Sequence, residues 1–187
     1  MNKGIELILS QVESALDAGY YYPALLTSLT LPDICGALDS HDGQASGEKY
    51  VAWFDQWVVP QFSETVRSAM PGATPLDVPD WAFPLTGEVC YRFRCSLLHQ
   101  GSSQHPKSPF RRILAVVPGT DGCVHHCLSD DAYILDLRLF CREIVEGVRQ
   151  WLSQVERNVR FERNYTKFAH LHPNGLSPYI RGWPVVG

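Results

Sequence analysis

The chain has 187 residues, of which 45% are hydrophobic and 19% are charged, and its formal net charge is −4 at pH 7. This length is sufficient for one well-filled core, and the composition is typical of an ordered globular protein rather than a disordered one. No segment approaches the roughly 18 consecutive apolar residues of a membrane span, and the charged start of the chain does not resemble a secretory signal. We therefore expect a cytoplasmic protein without a membrane partner.

The charges are distributed unevenly along the chain. Residues 1–90 contain 3 Lys and Arg against 12 Asp and Glu, whereas residues 91–187 contain 13 against 8. A basic region attracts anions, so an anionic ligand is expected to be attracted to the second half of the chain.

The first half of the chain has helical periodicity. Apolar residues from Ile5 to Leu16 recur at intervals of three and four, which predicts a first helix. A second helix through Ala24–Thr30 is expected to be interrupted at Pro32, because proline breaks the backbone hydrogen-bond ladder. A short continuation through Asp33–Leu38 is expected after this kink or break. Ser46 is a suitable cap for a third helix, which buries an aromatic stripe. Prolines then exclude a regular helix from residues 70–84.

The second half changes in period before a long final helix. Phe110–Val117 and Cys123–Leu128, separated by a Pro-Gly turn, predict a β-hairpin near residues 110–128. Asp136 is a suitable cap for an amphipathic helix that reaches Val155. The sequence therefore predicts a mainly α fold, with a single domain over residues 1–160 that contains the inserted hairpin. Residues 161–187 are expected to form an irregular C-terminal tail packed on this domain.

One short segment carries the strongest chemical signal. Arg94-Cys-Ser-Leu-Leu-His99 lies at the end of a helix predicted from about Leu85 to His99, which Gly101 ends. It combines a permanent cation with a side chain that titrates near neutral pH, and this pair suits phosphodiester chemistry. The two residues lie roughly 140° apart around a helix. They can therefore converge only if the Arg94 side chain wraps toward the helix end, or if a second copy of the helix meets the first.

This segment, with an aromatic residue before it and a glycine two residues after the histidine, resembles the R-x4-to-6-H signature of the HEPN superfamily. That family consists of all-helical proteins and includes many metal-independent ribonucleases. The resemblance implies a HEPN-like helical bundle, no cofactor, and a homodimer in which both chains contribute to one site. It further implies a metal-independent endoribonuclease that cleaves RNA, with toxins and defence effectors among its relatives.

The resemblance also assigns roles to residues. His99 would transfer a proton and Arg94 would stabilise the charge on the phosphoryl oxygens. Arg92 and Gln100 are candidate substrate-binding residues, although Glu88 lies four residues before Arg92 and can pair with it. Cys95 stands where active members commonly have a polar residue, often Asn. This departure favours the alternative of a catalytically silent, dimeric HEPN-like interaction module.

A second cluster, Cys123-Val-His-His-Cys127, consists of residue types that bind zinc. Its spacing is not the C-x2-C of a zinc hook, so no metal ligand is assigned from the sequence, and a metal-binding protein is a third alternative. In a strand, Cys123, His125 and Cys127 would face one side and His126 the other. We expect Cys123 and Cys127 to pack inward.

Overall fold

The computed structural model describes residues 3–69, 83–117, 119, 124–155 and 157–187. This described part is mainly helical, as the sequence predicts. The helices are α1 (Lys3–Asp17), α2 (Tyr21–Asp39), α3 (Gly47–Trp57), α4 (Val59–Ala69), α5 (Gly87–Gln100), α6 (Leu137–Val155) and α7 (Val159–Tyr165). The predicted loop over residues 70–84 falls almost entirely outside the described residues.

Helix α2 is the centre of the fold and contacts α1, α3, α5, α6 and α7. Its buried residues cover about half of its circumference and most of the others are partly buried, which is the pattern of a helix with neighbours on several sides. The predicted helical continuation through Leu38 is confirmed, but no break separates it from the first part: α2 runs through Pro32, which is buried inside it. Packing on several sides compensates for the hydrogen bond that proline removes.

Two predicted helix starts are confirmed. The hydroxyl of Ser46 accepts a hydrogen bond from the backbone N–H of Lys49 at the start of α3. The carboxylate of Asp136 accepts one from Leu139 N at 2.9 Å, at the start of α6. The apolar stripe of α6 is buried along its whole length, because it packs against α1, α2, α3 and α4.

The predicted β-hairpin is wrong in its pairing. Strands β1 (Arg112–Val116), β2 (Cys127–Ser129) and β3 (Ala132–Asp136) form one sheet in the order β1-β3-β2. β3 pairs parallel with β1 and antiparallel with β2, so the two segments predicted to pair with each other lie on opposite sides of β3. β3 takes the central place because Tyr133 and Leu135 alternate into the core, whereas every residue of β2 is exposed.

The C-terminal segment is more regular than predicted. Asn158 caps α7, and Phe161 and Tyr165 of this helix are buried. Four two-residue strands follow: β4 (Leu171–His172), β5 (Gly175–Leu176), β6 (Ile180–Arg181) and β7 (Val185–Val186), paired β4 with β7 and β5 with β6. The segment is fastened to the start of α1, because Gly4 N donates to the hydroxyl of Tyr165 at 3.0 Å.

Candidate active site

Helix α5 carries the predicted motif, and both of its ends are fixed. Gly87 N donates to Asp55 Oδ1 of α3 at 2.6 Å, and a Cβ on Gly87 would lie only 2.5 Å from the carbonyl oxygen of Val51. Only glycine therefore permits this close approach of α5 to α3. At the other end, Gly101 has φ +63, a left-handed conformation that ends the helix directly after the motif, as predicted.

Arg94 and His99 converge within a single chain. Arg94 Nη1 lies 3.2 Å from His99 Nε2, so the Arg94 side chain wraps toward the helix end, which was the first of the two predicted routes. A guanidinium can only donate, so Nε2 of His99 is the acceptor. The imidazole is then neutral, with its proton on Nδ1. His99 is exposed, whereas the side chain of Arg94 is only 19% exposed.

Asp33 of α2 also contacts Arg94, so that Asp33, Arg94 and His99 form a network of three side chains. Its Oδ2 lies 2.7 Å from Arg94 Nη2, and the Asp33 side chain is 16% exposed. Burial raises the pKa of Asp33 above its ordinary value, although the adjacent Arg94 opposes this shift. Asp33 Oδ2 and Arg94 Nε are also buried without an aligned hydrogen bond among the described residues, so the contact is an ion pair rather than a two-bond fork.

The sequence reasoning did not identify Asp33. The available signal was that Asp33 is the sole charged residue between Tyr22 and Leu38, in an otherwise apolar stretch. A lone charge on a helix with neighbours on several sides needs a partner, because an unpaired buried charge is strongly unfavourable. Nothing in the spacing indicates that the partner is Arg94.

The two candidate substrate-binding residues, Arg92 and Gln100, do not bond to Asp33, Arg94 or His99 among the described residues. Arg92 pairs with Glu88, with Nη2 to Oε1 at 2.6 Å, and also donates to the carbonyl of Lys107. Gln100 is exposed at the last turn of α5. In the described part of the chain, no hydrogen bond or ion pair links either residue to Arg94 or His99. The structure thus favours the ion-pair interpretation of Arg92.

The second cluster differs from its predicted arrangement. Cys127 is exposed rather than packed inward, and Cys123 lies outside the described residues. His125 and His126 precede β2 and do not face opposite sides, because His126 has φ +53 and its ring turns to the same side as that of His125. Both imidazoles meet Glu143 of α6, at 3.0 Å and 3.1 Å from its Oε1.

Hydrogen bonds fix the protons of this buried cluster. The backbone N–H of Asp136 donates to His125 Nδ1 at 3.1 Å, so His125 Nε2 carries a proton and donates to Glu143. His126 Nδ1 lies 2.8 Å from the hydroxyl of Tyr133, which leaves its Nε2 to donate to the same carboxylate oxygen. Burial favours an elevated pKa for Glu143, but these two hydrogen bonds hold it below its ordinary value. Burial lowers the pKa of His126.

The same three residues are chemically able to hold a metal ion. Their ligand atoms all lie within 4.8 Å of one another. Coordination would require each imidazole to move its proton to Nδ1, which costs His125 its bond from Asp136. An unsatisfied backbone donor costs about 1–3 kcal/mol, whereas a structural zinc ion contributes about 10–16 kcal/mol in peptides. This cost is small beside the stabilisation that a structural zinc ion supplies in such peptides.

No protein-family model matches the chain, and no characterised protein or solved structure matches it significantly. None of the described helices combines the length and apolar character needed to cross a membrane.

Proposed function

We propose that this chain is a metal-independent endoribonuclease of the HEPN type, with Arg94 and His99 as its catalytic residues. The observation that carries the proposal is the 3.2 Å contact between Arg94 Nη1 and His99 Nε2 at the exposed end of α5. It brings a cation for phosphoryl oxygens and a neutral imidazole to one place. Phosphodiester cleavage without a metal uses both of these groups, one as a general base and one to stabilise charge.

The first step is exchange of hydrogen bonds. A phosphoryl oxygen of the substrate replaces His99 Nε2 as the acceptor of the Arg94 N–H, because a charged oxygen is the better acceptor. The displaced Nε2 is then a free base. Asp33 holds the other side of the guanidinium and is a positioning residue, since it contacts Arg94 and not the substrate.

The second step is cleavage. His99 Nε2 accepts the proton of the ribose 2′-hydroxyl, the 2′-oxygen bonds to phosphorus, and the bond from phosphorus to the 5′-oxygen breaks. The products are a 2′,3′-cyclic phosphate and a 5′-hydroxyl, whose proton comes from a general acid. In a homodimer of the HEPN type, His99 of the second copy would supply that proton. Arg94 stabilises the negative charge that accumulates on the phosphoryl oxygens.

Because the mechanism uses the ribose 2′-hydroxyl, it restricts the substrate to RNA. This restriction provides the test of the proposed function. Purified protein is incubated in EDTA with a DNA oligonucleotide that contains a single ribonucleotide, and with the same oligonucleotide made entirely of DNA. We expect cleavage only after the ribonucleotide, with a cyclic phosphate on the 5′ fragment. Cleavage of the all-DNA strand, or the absence of cleavage from both this oligonucleotide and longer single-stranded and structured RNAs, would refute the proposal.

A silent interaction module is the second candidate, and one observation favours it. Asp33 neutralises Arg94, and both side chains are largely covered, which is the arrangement of a structural ion pair. In that case substitutions at Arg94 would reduce stability or self-association, and His99→Ala would have no catalytic consequence. The two candidates therefore differ in the behaviour of the exposed His99.

A further inference from the structure

We propose that His125, His126 and Glu143 form a binding site for a divalent transition-metal ion, with Zn²⁺ as the best match. This site is separate from Arg94 and His99. If the metal-site proposal fails, the ribonuclease proposal is therefore unaffected.

The positions of the donor atoms support this proposal. His125 Nε2 and His126 Nε2 lie 3.0 Å and 3.1 Å from Glu143 Oε1, and all three atoms lie within 4.8 Å of one another. Ligands at zinc bond lengths of about 2.0–2.2 Å in a tetrahedron are separated by about 3.3 Å. Small movements of these side chains would therefore make room for an ion between them.

The carboxylate of Glu143 supplies an independent indication that a cation binds here. Its side chain is 1% exposed, and its second oxygen, Oε2, has no hydrogen-bond partner among the described residues. A buried, ionised carboxylate ordinarily has partners for both oxygens. A cation bound by this carboxylate would neutralise its charge and could also occupy Oε2.

The backbone at His126 supports the same conclusion. Neighbouring residues of an extended chain point to opposite sides, but the left-handed conformation of His126 turns both imidazoles toward Glu143. This conformation is uncommon for any residue other than glycine, and such outliers concentrate at functional sites. The His126 ring is also enclosed by Phe62 and Phe83, with ring centroids 4.2 Å and 5.1 Å away, so its position is fixed before an ion binds.

The donor types indicate which ion binds. Two imidazole nitrogens and one carboxylate are ligands for zinc and its neighbours in the first transition series, whereas calcium and magnesium prefer oxygen. The fourth position would be taken by Glu143 Oε2 or by water. The hydroxyl of Tyr133, 2.8 Å from His126 Nδ1, can accept the proton that coordination places there.

His125 is the weaker of the two imidazole ligands. Its Nδ1 accepts the backbone N–H of Asp136, and a proton moved onto Nδ1 would face that donor. His126 has no such conflict. We therefore expect His126→Ala to reduce metal affinity more than His125→Ala does.

The test is titration with zinc chloride. Wild-type protein is stripped with a chelator, dialysed, and titrated in competition with a chromogenic chelator. We expect one equivalent to bind tightly and to raise the unfolding temperature. Glu143→Gln, which has nearly the same shape, should weaken binding by at least about tenfold, since loss of even an outer partner of a metal ligand costs about 10–100-fold. His126→Gln is the second variant, and it serves if Glu143→Gln does not fold.

Two control variants distinguish this site from adventitious binding. His41→Ala removes an exposed histidine and Cys127→Ser removes an exposed thiol, and neither should change the affinity. The proposal is overturned if the wild-type protein binds no equivalent of zinc. It is also overturned if the folded Glu143 and His126 variants bind zinc as tightly as the wild type, or if Cys127→Ser alone abolishes binding.

Discussion

The carboxylate of Asp33 lies 2.7 Å from the guanidinium of Arg94, and this contact joins the central helix α2 to the motif helix α5. Arg94 therefore interacts with Asp33 on one side and with His99 on the other. Arg94 is thus both a candidate catalytic residue and part of the packing between two helices.

This pairing predicts that Arg94→Ala destabilises the protein. The substitution leaves the carboxylate of Asp33 largely buried without its partner, which costs about 1–3 kcal/mol. The double variant Asp33→Asn/Arg94→Gln removes both charges and should be closer to the wild type in its free energy of unfolding than Arg94→Ala is. Urea denaturation measures both values. If the losses from the two single variants, Asp33→Asn and Arg94→Gln, simply add in the double variant, the ion pair contributes nothing.

Arg92 is predicted to have little effect on cleavage, although it lies two residues from Arg94. Its guanidinium is held by Glu88 and by the carbonyl of Lys107. A partly exposed pair of this kind contributes about 0.3–0.5 kcal/mol. Because these partners, and not His99, hold the guanidinium, Arg92→Ala should change the cleavage rate by less than about tenfold. This variant is the matched arginine control for Arg94→Ala. A large increase in KM would instead restore Arg92 as a substrate-binding residue.

Self-association remains a prediction of the family resemblance. We expect sedimentation equilibrium at micromolar concentration to give about twice the chain mass of 21.1 kDa. Cross-linking should then place the two α5 helices close together. A single species of one chain mass would leave His99 without the second copy that the proposed cleavage step uses.

The buried cluster of His125, His126 and Glu143 predicts that the folded protein loses stability in acid. The pKa of His126 is lowered in the folded protein, so the unfolded chain, with a value near 6.5, binds the proton more readily. The contribution of His126 to stability is therefore complete above about pH 6.5 and decreases as the pH falls through the lowered value. Glu143, whose pKa is also lowered, adds a further loss below its ordinary value near 4.5.

The measurement is the free energy of unfolding between about pH 7.5 and about pH 5.5, in the presence of a chelator. Wild type and the control His41→Ala should lose stability over this range. His126→Gln should be less stable than wild type at the higher pH, and its free energy of unfolding should depend less on pH. An equal slope in all three proteins would show that His126 does not control this transition.

Local features of the fold could be predicted from the sequence more fully than long-range ones. The Ser46 and Asp136 caps, the left-handed Gly101 and the apolar stripe of α6 depend on residues close together in the chain, and all were predicted. The pairing of β1 with β3 was not, because a Pro-Gly turn indicates a hairpin but does not specify which strand enters the core. That choice depends on the burial of Tyr133 and Leu135 in the core.

The candidate sites follow the same division. The convergence of Arg94 with His99 was anticipated as one of two routes, because both residues lie on one helix. Asp33 and Glu143 were missed, since their partners lie far away in the chain and no spacing rule connects them. A charged residue within an apolar helix was the available signal in α2, and Glu143, three residues after Phe140 in α6, offered a weaker one.

The most direct test of the proposed function is the single-turnover rate of RNA cleavage by wild type and by His99→Ala, measured in EDTA. His99 is exposed, so its removal should leave the free energy of unfolding unchanged, as urea denaturation can verify. We predict that His99→Ala is slower by roughly 10²–10⁴-fold, because proton transfer is lost, whereas His41→Ala cleaves at the wild-type rate. Equal rates for wild type and folded His99→Ala would contradict the proposal that this chain is a ribonuclease of the HEPN type.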